Sequence, residues 1–180
     1  MKLTWFAATT VRIHIGGEIL VADPDRAPDF VDRRELVSGA DRVFALASED
    51  GNLPVVDPAK WRPRKVAKLA EDSPPDQAVK IQRIGPRAVL FDAIGEPPLV
   101  LIASVEAPRF GRWADDAVVV LFGAREEMVA TCTVLLDVAR PKLIALAADE
   151  ATIDLAIAEL REHLEGAGLV SLEPGLALEV

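Results

Sequence analysis

Asp23, Glu49 and Asp50 are the carboxylates in this chain that could act together in chemistry. Gathered in one closed pocket, they could serve as general acid and base, provided at least one were held protonated near neutral pH. The same oxygens could hold a hard cation such as Mg²⁺ or Ca²⁺. Softer ligands are scarce: the chain has two histidines, His14 and His163, and one cysteine, Cys132. The histidines are far apart and have no metal-ligand spacing, and no base lies beside Ser48 to activate it as a nucleophile. Cys132 sits among Val129, Val134 and Leu135, which marks it as a small buried hydrophobe. A second kind of chemistry belongs to Arg109, Phe110, Arg112 and Trp113, where two guanidinium groups and two aromatic rings in one loop could grip an anionic ligand or a partner. In the alternative, the rings cap the core and the arginines are solvated. Gly16-Gly17 and Gly85-Pro86 are turns, not phosphate-cradling loops, so no nucleotide or other cofactor is implied.

The elements that must position these residues follow from periodicity. Val11, Ile13 and Ile15 alternate with Arg12 and His14, and Gly16-Gly17 turns the chain into Ile19 to Ala22, which predicts a hairpin with His14 on its polar face. A short amphipathic helix is expected over Phe30 to Val37, then a buried strand over Arg42 to Ala47. Asp50 to Arg64 carries three prolines and reads as irregular, and Glu71 to Gln77 as a loop. Strands are expected over Ala78 to Ile84, Arg87 to Phe91, Leu99 to Ala103, Val118 to Phe122 and Lys142 to Ala147. Helices are expected over Glu126 to Val138 and Thr152 to Leu164. The end, Gly166 to Val180, suits an edge strand or a dimer contact. Hairpins first and strand–helix alternation later predict a layered α/β sandwich rather than an all-parallel sheet.

The opening, MKLTWFAATTVRIHIGGEILVADP, resembles that of the small metallo-β-lactamase-fold hydrolases, which typically read MKLTWLGHATFLIEIGGKRILIDP. The resemblance covers the first 24 residues in detail and the rest by order of elements. It implies a shortened metallo-β-lactamase-like αββα sandwich and the family's metal-binding motifs, and those motifs are replaced. The family's Gly-His pair is Ala7-Ala8 here. Its T-H-x-H-x-D-H loop aligns with Ala40 to Pro54, where Ala47, Glu49, Gly51 and Asn52 stand at the ligand positions. The region of its bridging aspartate holds Ala103 and Ser104, and the final histidine, after P-K-V-V-I-P-M-H, becomes Ala148 in PKLIALAA. Asp23 before Pro24 remains.

The resemblance therefore implies a vacated metal site, with no metal and no cofactor, in a non-catalytic protein kept for binding or assembly. Two other readings stay open: a hydrolase with a relocated or metal-independent site on Asp23, Glu49 and Asp50, and a small-molecule binding module that uses the cleft with the Arg109–Arg112 loop as its lip. At 180 residues and 51% apolar the chain is read as one domain, 1–180. Its net charge of −9 argues against nucleic acid. No apolar run reaches membrane-spanning length, so no membrane partner is expected, and the single cysteine fits a cytoplasmic protein. A homodimer is a reasonable expectation for a small, cofactorless core.

Overall fold

A computed structural model describes residues 1–48, 53–64 and 78–180. Three antiparallel strands open the chain: β1 (Lys2–Ala7), β2 (Thr10–Ile15) and β3 (Glu18–Ala22). The short β4 (Arg42–Phe44) lies parallel to β3, and the C-terminal β11 (Ala177–Glu179) pairs with β1, giving a sheet of order β11-β1-β2-β3-β4. The second sheet is built from β5 (Val79–Gly85), β6 (Ala88–Ala93), β7 (Leu99–Ile102), β8 (Val118–Phe122), β9 (Leu143–Ala147) and β10 (Gly168–Ser171). Its order is β10-β9-β8-β7-β6-β5, parallel from β7 to β10 and antiparallel at the β5–β6–β7 end.

The two sheets face each other across a core in which Leu3, Val11, Ile13 and Leu20 meet Phe91, Leu101, Val118 and Val120. The continuous apolar runs in β6, β8 and β9 are explained by covering on both faces. The outer side of the second sheet carries α2 (Arg125–Val138) and α3 (Glu150–Leu160), which bury Met128, Cys132, Leu135, Ile153 and Leu160. Over the outer side of the first sheet lie only α1 (Arg33–Val37) and a short 3₁₀ turn, packed through Leu36, Ala27 and Val21. The result is an αββα sandwich with one thin outer layer. Among the described residues no helix is long and apolar enough to cross a membrane.

Most elements match the expected ones, with differences that have physical causes. Helix α1 begins at Arg33, where the Asp32 carboxylate caps the Arg34 N–H, and Phe30 is left 83% exposed. Its terminal carbonyls accept from the Arg12 guanidinium, so the polar face of the first hairpin is used to hold a helix. The expected buried strand over Arg42 to Ala47 is three residues long, with Val43 at an exposed edge. Helix α3 stops at Leu160 rather than Leu164. The C-terminal stretch forms two edge strands, one for each sheet, because Leu172 enters the core between them and the Pro174-Gly175 turn redirects the chain.

Candidate functional site

Strand directions collect one set of turns at a single edge of the sandwich. The β1–β2 turn, the exits of β3, β7, β8 and β9 and the β5–β6 turn all lie there. Between them is a cleft of about 590 Å³ lined by Trp5, Ala7, Ala8, Thr9, Ala103, Phe122, Ala147, Ala148 and Pro174, with Arg26, Arg87, Glu127, Asp149 and Glu150 as its charged groups. Its apolar lining combines small alanines with the larger Trp5 and Phe122. Gly123, at φ 133°, leaves the space that the Glu127 carboxylate fills, since a Cβ there would stand 2.5 Å from Glu127 Oε2.

Asp23 sits at the same edge, 8% exposed and in a left-handed conformation. Its Oδ2 accepts from the Thr9 hydroxyl and from Ala47 N–H at 2.9 Å, and its Oδ1 accepts from Leu46 N–H at 3.0 Å. Its backbone carbonyl accepts from the Thr10 hydroxyl at 2.8 Å, and its N–H donates to Phe44 O at 3.0 Å. The aspartate thus ties the β1–β2 turn to the segment leaving β4, and both carboxylate oxygens are already engaged.

Of the positions that the resemblance aligns with the family's motifs, Ala148 lines the cleft, as do Ala8 of the N-terminal pair and Ala103 of the bridging-aspartate region, and the Ala47 backbone reaches its edge through Asp23. Ser104 is buried beside it, its hydroxyl accepting from Glu106 N–H at 3.1 Å in a tight turn. Glu49, Asp50, Gly51 and Asn52 lie outside the described residues. Asp149 caps α3, accepting from Thr152 N–H at 3.0 Å and from its hydroxyl at 2.7 Å, and these bonds hold its carboxyl below the usual range. Sequence reasoning missed Arg26, Arg87 and Glu127 as cleft residues. Only the turn chemistry of Gly85-Pro86 pointed toward one of them.

The remaining candidates are elsewhere. His14 lies at the opposite end of the sandwich, opposite Lys2 on β1, and its pKa is lowered by partial burial first and then by Arg12 and Lys2. His163 is exposed after α3. Burial pushes the Cys132 thiol up to about 12, which leaves it inert. The segment from Arg109 to Trp113 crosses the outer face of the second sheet. Trp113 is buried there edge-on to Trp61 at 5.8 Å and stacked on Phe110 at 6.1 Å, while Arg109 and Arg112 point to solvent. None of the four lines the cleft. Among the described residues, no three His, Cys, Asp or Glu side chains are grouped to hold a metal ion.

A solved structure from Thermotoga maritima, described as a Zn-dependent hydrolase of the metallo-β-lactamase superfamily, superimposes on this chain with a TM-score of 0.50 at 18% identity, over 95% of this chain and 98% of that one. The chain has the metallo-β-lactamase fold. No protein-family model and no curated protein matches it. The overlap takes in almost the whole of both chains, so the likeness is to the complete sandwich and not to one of its sheets. A zinc pair does not fit the described residues, because zinc takes imidazole, thiolate or carboxylate donors and the cleft offers methyl groups at the aligned positions.

Proposed function

We propose that this is a non-catalytic protein of the metallo-β-lactamase fold that binds a ligand in the cleft without turning it over. The observation that supports the reading is a cleft, open and largely apolar, lined by Ala8, Ala103 and Ala148 in the regions where the resemblance implies the family's polar motifs. Small residues at each of these positions clear space instead of filling it. Asp23 contributes structure instead of a free base, because both of its oxygens are held by backbone and hydroxyl donors. A carboxylate in that position would have to break the rim of its own cleft to accept a further proton or coordinate an ion.

Metal analysis of untagged protein grown with added zinc and manganese, then dialysed, tests the reading. Only substoichiometric traces are expected, together with no turnover of ester, phosphodiester or lactam probes. Stoichiometric retention of a transition metal, or metal-dependent hydrolysis, would overturn it and would direct attention to residues 49–52.

A further inference from the structure

The cleft is charged at both ends, with opposite signs. Along the second sheet its lining runs from Arg87 in the β5–β6 turn, past Ala103 after β7 and Phe122 at the end of β8, to Ala148 and Glu150 beyond β9. Glu127, in the first turn of α2 after β8, sets its carboxylate beside the Gly123 backbone. Arg26 enters the lining from the first sheet, after β3. That strand lies over β5 and β6, since Glu18 at its start accepts from Val79 N–H at 3.1 Å and a Cβ on Gly16 would meet Ala93. At the other flank Gly175 N–H, after β10, donates to Trp5 O on β1 at 2.7 Å. The two sheets therefore run in step, which puts both arginines at the β6 end of the cleft and the glutamates at the β8–β9 end. Strand spacing alone separates those ends by roughly 10–14 Å.

These charges are not spent on the scaffold. Among the described residues, Arg26, Arg87, Glu127 and Glu150 make no side-chain hydrogen bond or ion pair, whereas Asp149 is used up in capping α3. Of the Arg87 guanidinium nitrogens only Nε is shut in without a partner, and the side chain is half-buried, so its Nη end stays open to the cleft. Elsewhere opposite charges close on each other, as Arg42 does with Glu18 and Arg64 with Asp92. In the cleft the strands between them hold them apart.

We propose that the cleft takes a small zwitterion, with its acid head at Arg26 and Arg87, its ammonium group at Glu127 and Glu150, and an apolar chain between them along Trp5 and Phe122. The inference rests on the binding role given above for the cleft and adds the ligand class. A guanidinium fork matches an acid head, and an ammonium group pairs with a carboxylate as a point charge. A ligand with one charge gains at one end only and is repelled at the other. The probes are 6-aminohexanoate, hexanoate and hexylammonium, which share a six-carbon chain, each titrated at constant ionic strength into ¹⁵N-labelled protein. The zwitterion is expected to move the indole signal of Trp5, whose Nε1 donates to Ala8 O at 3.0 Å in the cleft wall, and to bind at least about tenfold more tightly than either analogue. Arg87→Gln should weaken 6-aminohexanoate and hexanoate but not hexylammonium. Glu127→Gln should weaken 6-aminohexanoate and hexylammonium but not hexanoate. Either analogue binding as tightly as the zwitterion, no saturable shift with any probe, or an equal loss for all three probes in both variants would overturn the proposal. Metal content and turnover are untouched by such a failure, so the ligand class could fall while the metal-free reading stands.

Discussion

At the scale of single residues, Asp23 shows how a side chain that looks available for chemistry becomes part of the scaffold. The chain runs from an apolar strand into Asp-Pro, and a left-handed backbone at Asp23 turns its carboxylate back onto Thr9, Leu46 and Ala47. Asp23→Ala strands these donors in a buried place. It should lower unfolding free energy by about 3 kcal/mol, seen as a lower denaturant midpoint, and Asp23→Asn, which keeps one acceptor, should lose less. His14 gives the opposite kind of effect, small and pH-dependent. Partial burial and the nearby Arg12 and Lys2 favour its neutral form, so the unfolded chain binds the proton more readily. Stability is therefore expected to fall as pH drops through the ordinary imidazole range near 6.5, and His14→Gln should flatten that part of the profile. A profile unchanged by the substitution would show that other groups set the acid limb.

At the scale of elements, the β2–β3 turn separates two costs that adjacent glycines usually blur. Gly16 and Gly17 both have positive φ, at 55° and 79°. A Cβ on Gly16 would meet Val79 Cγ2 at 2.8 Å and Ala93 Cβ at 3.1 Å, whereas one on Gly17 would meet nothing within 4 Å. Gly17→Ala should cost about 1 kcal/mol from backbone strain alone, and Gly16→Ala a further 1–3 kcal/mol as the turn is pushed off the second sheet. Equal losses in thermal melts would mean that the turn does not seat there. This hairpin was legible in the sequence because its alternation and its glycine pair agree. So were β5 to β9, α2 and most of α3, whose apolar runs and stripes are set by burial. The bounds of α1 and β4 were not, because their ends depend on contacts made across the fold: the Arg12 guanidinium holds the end of α1, and β4 is kept to three residues by Asp23.

At the scale of the whole molecule, the sandwich is closed at the end away from the cleft and open at the other. Glu96 accepts from Gly16 N–H at 2.6 Å and pairs with the N-terminal ammonium at 3.1 Å, while Glu18 accepts from Val79 N–H at 3.1 Å and Arg42 donates to Val79 O at 2.7 Å. These carboxylates and one guanidinium join the two sheets where both are well packed. The cleft end was only half legible in the sequence: the resemblance pointed to the regions of Ala8, Ala103 and Ala148, which the fold brings to one place, but Arg87 read as an ordinary turn residue until the fold set it in the cleft lining. At that end the rim is held by Asp23 and its donors, and no described group of ligands waits for a metal. If hydrogen bonds and the core between the sheets carry the fold, dialysis against EDTA should leave the melting temperature unchanged, since removing a ligand shifts stability only in proportion to its prior binding. A core truncation such as Leu101→Ala, at a site with 0% exposure, should by contrast cost about 3 kcal/mol. A fall of several degrees with chelator alone, reversed by adding back one metal, would show that an ion holds the cleft end together and that the binding site must be rebuilt around it.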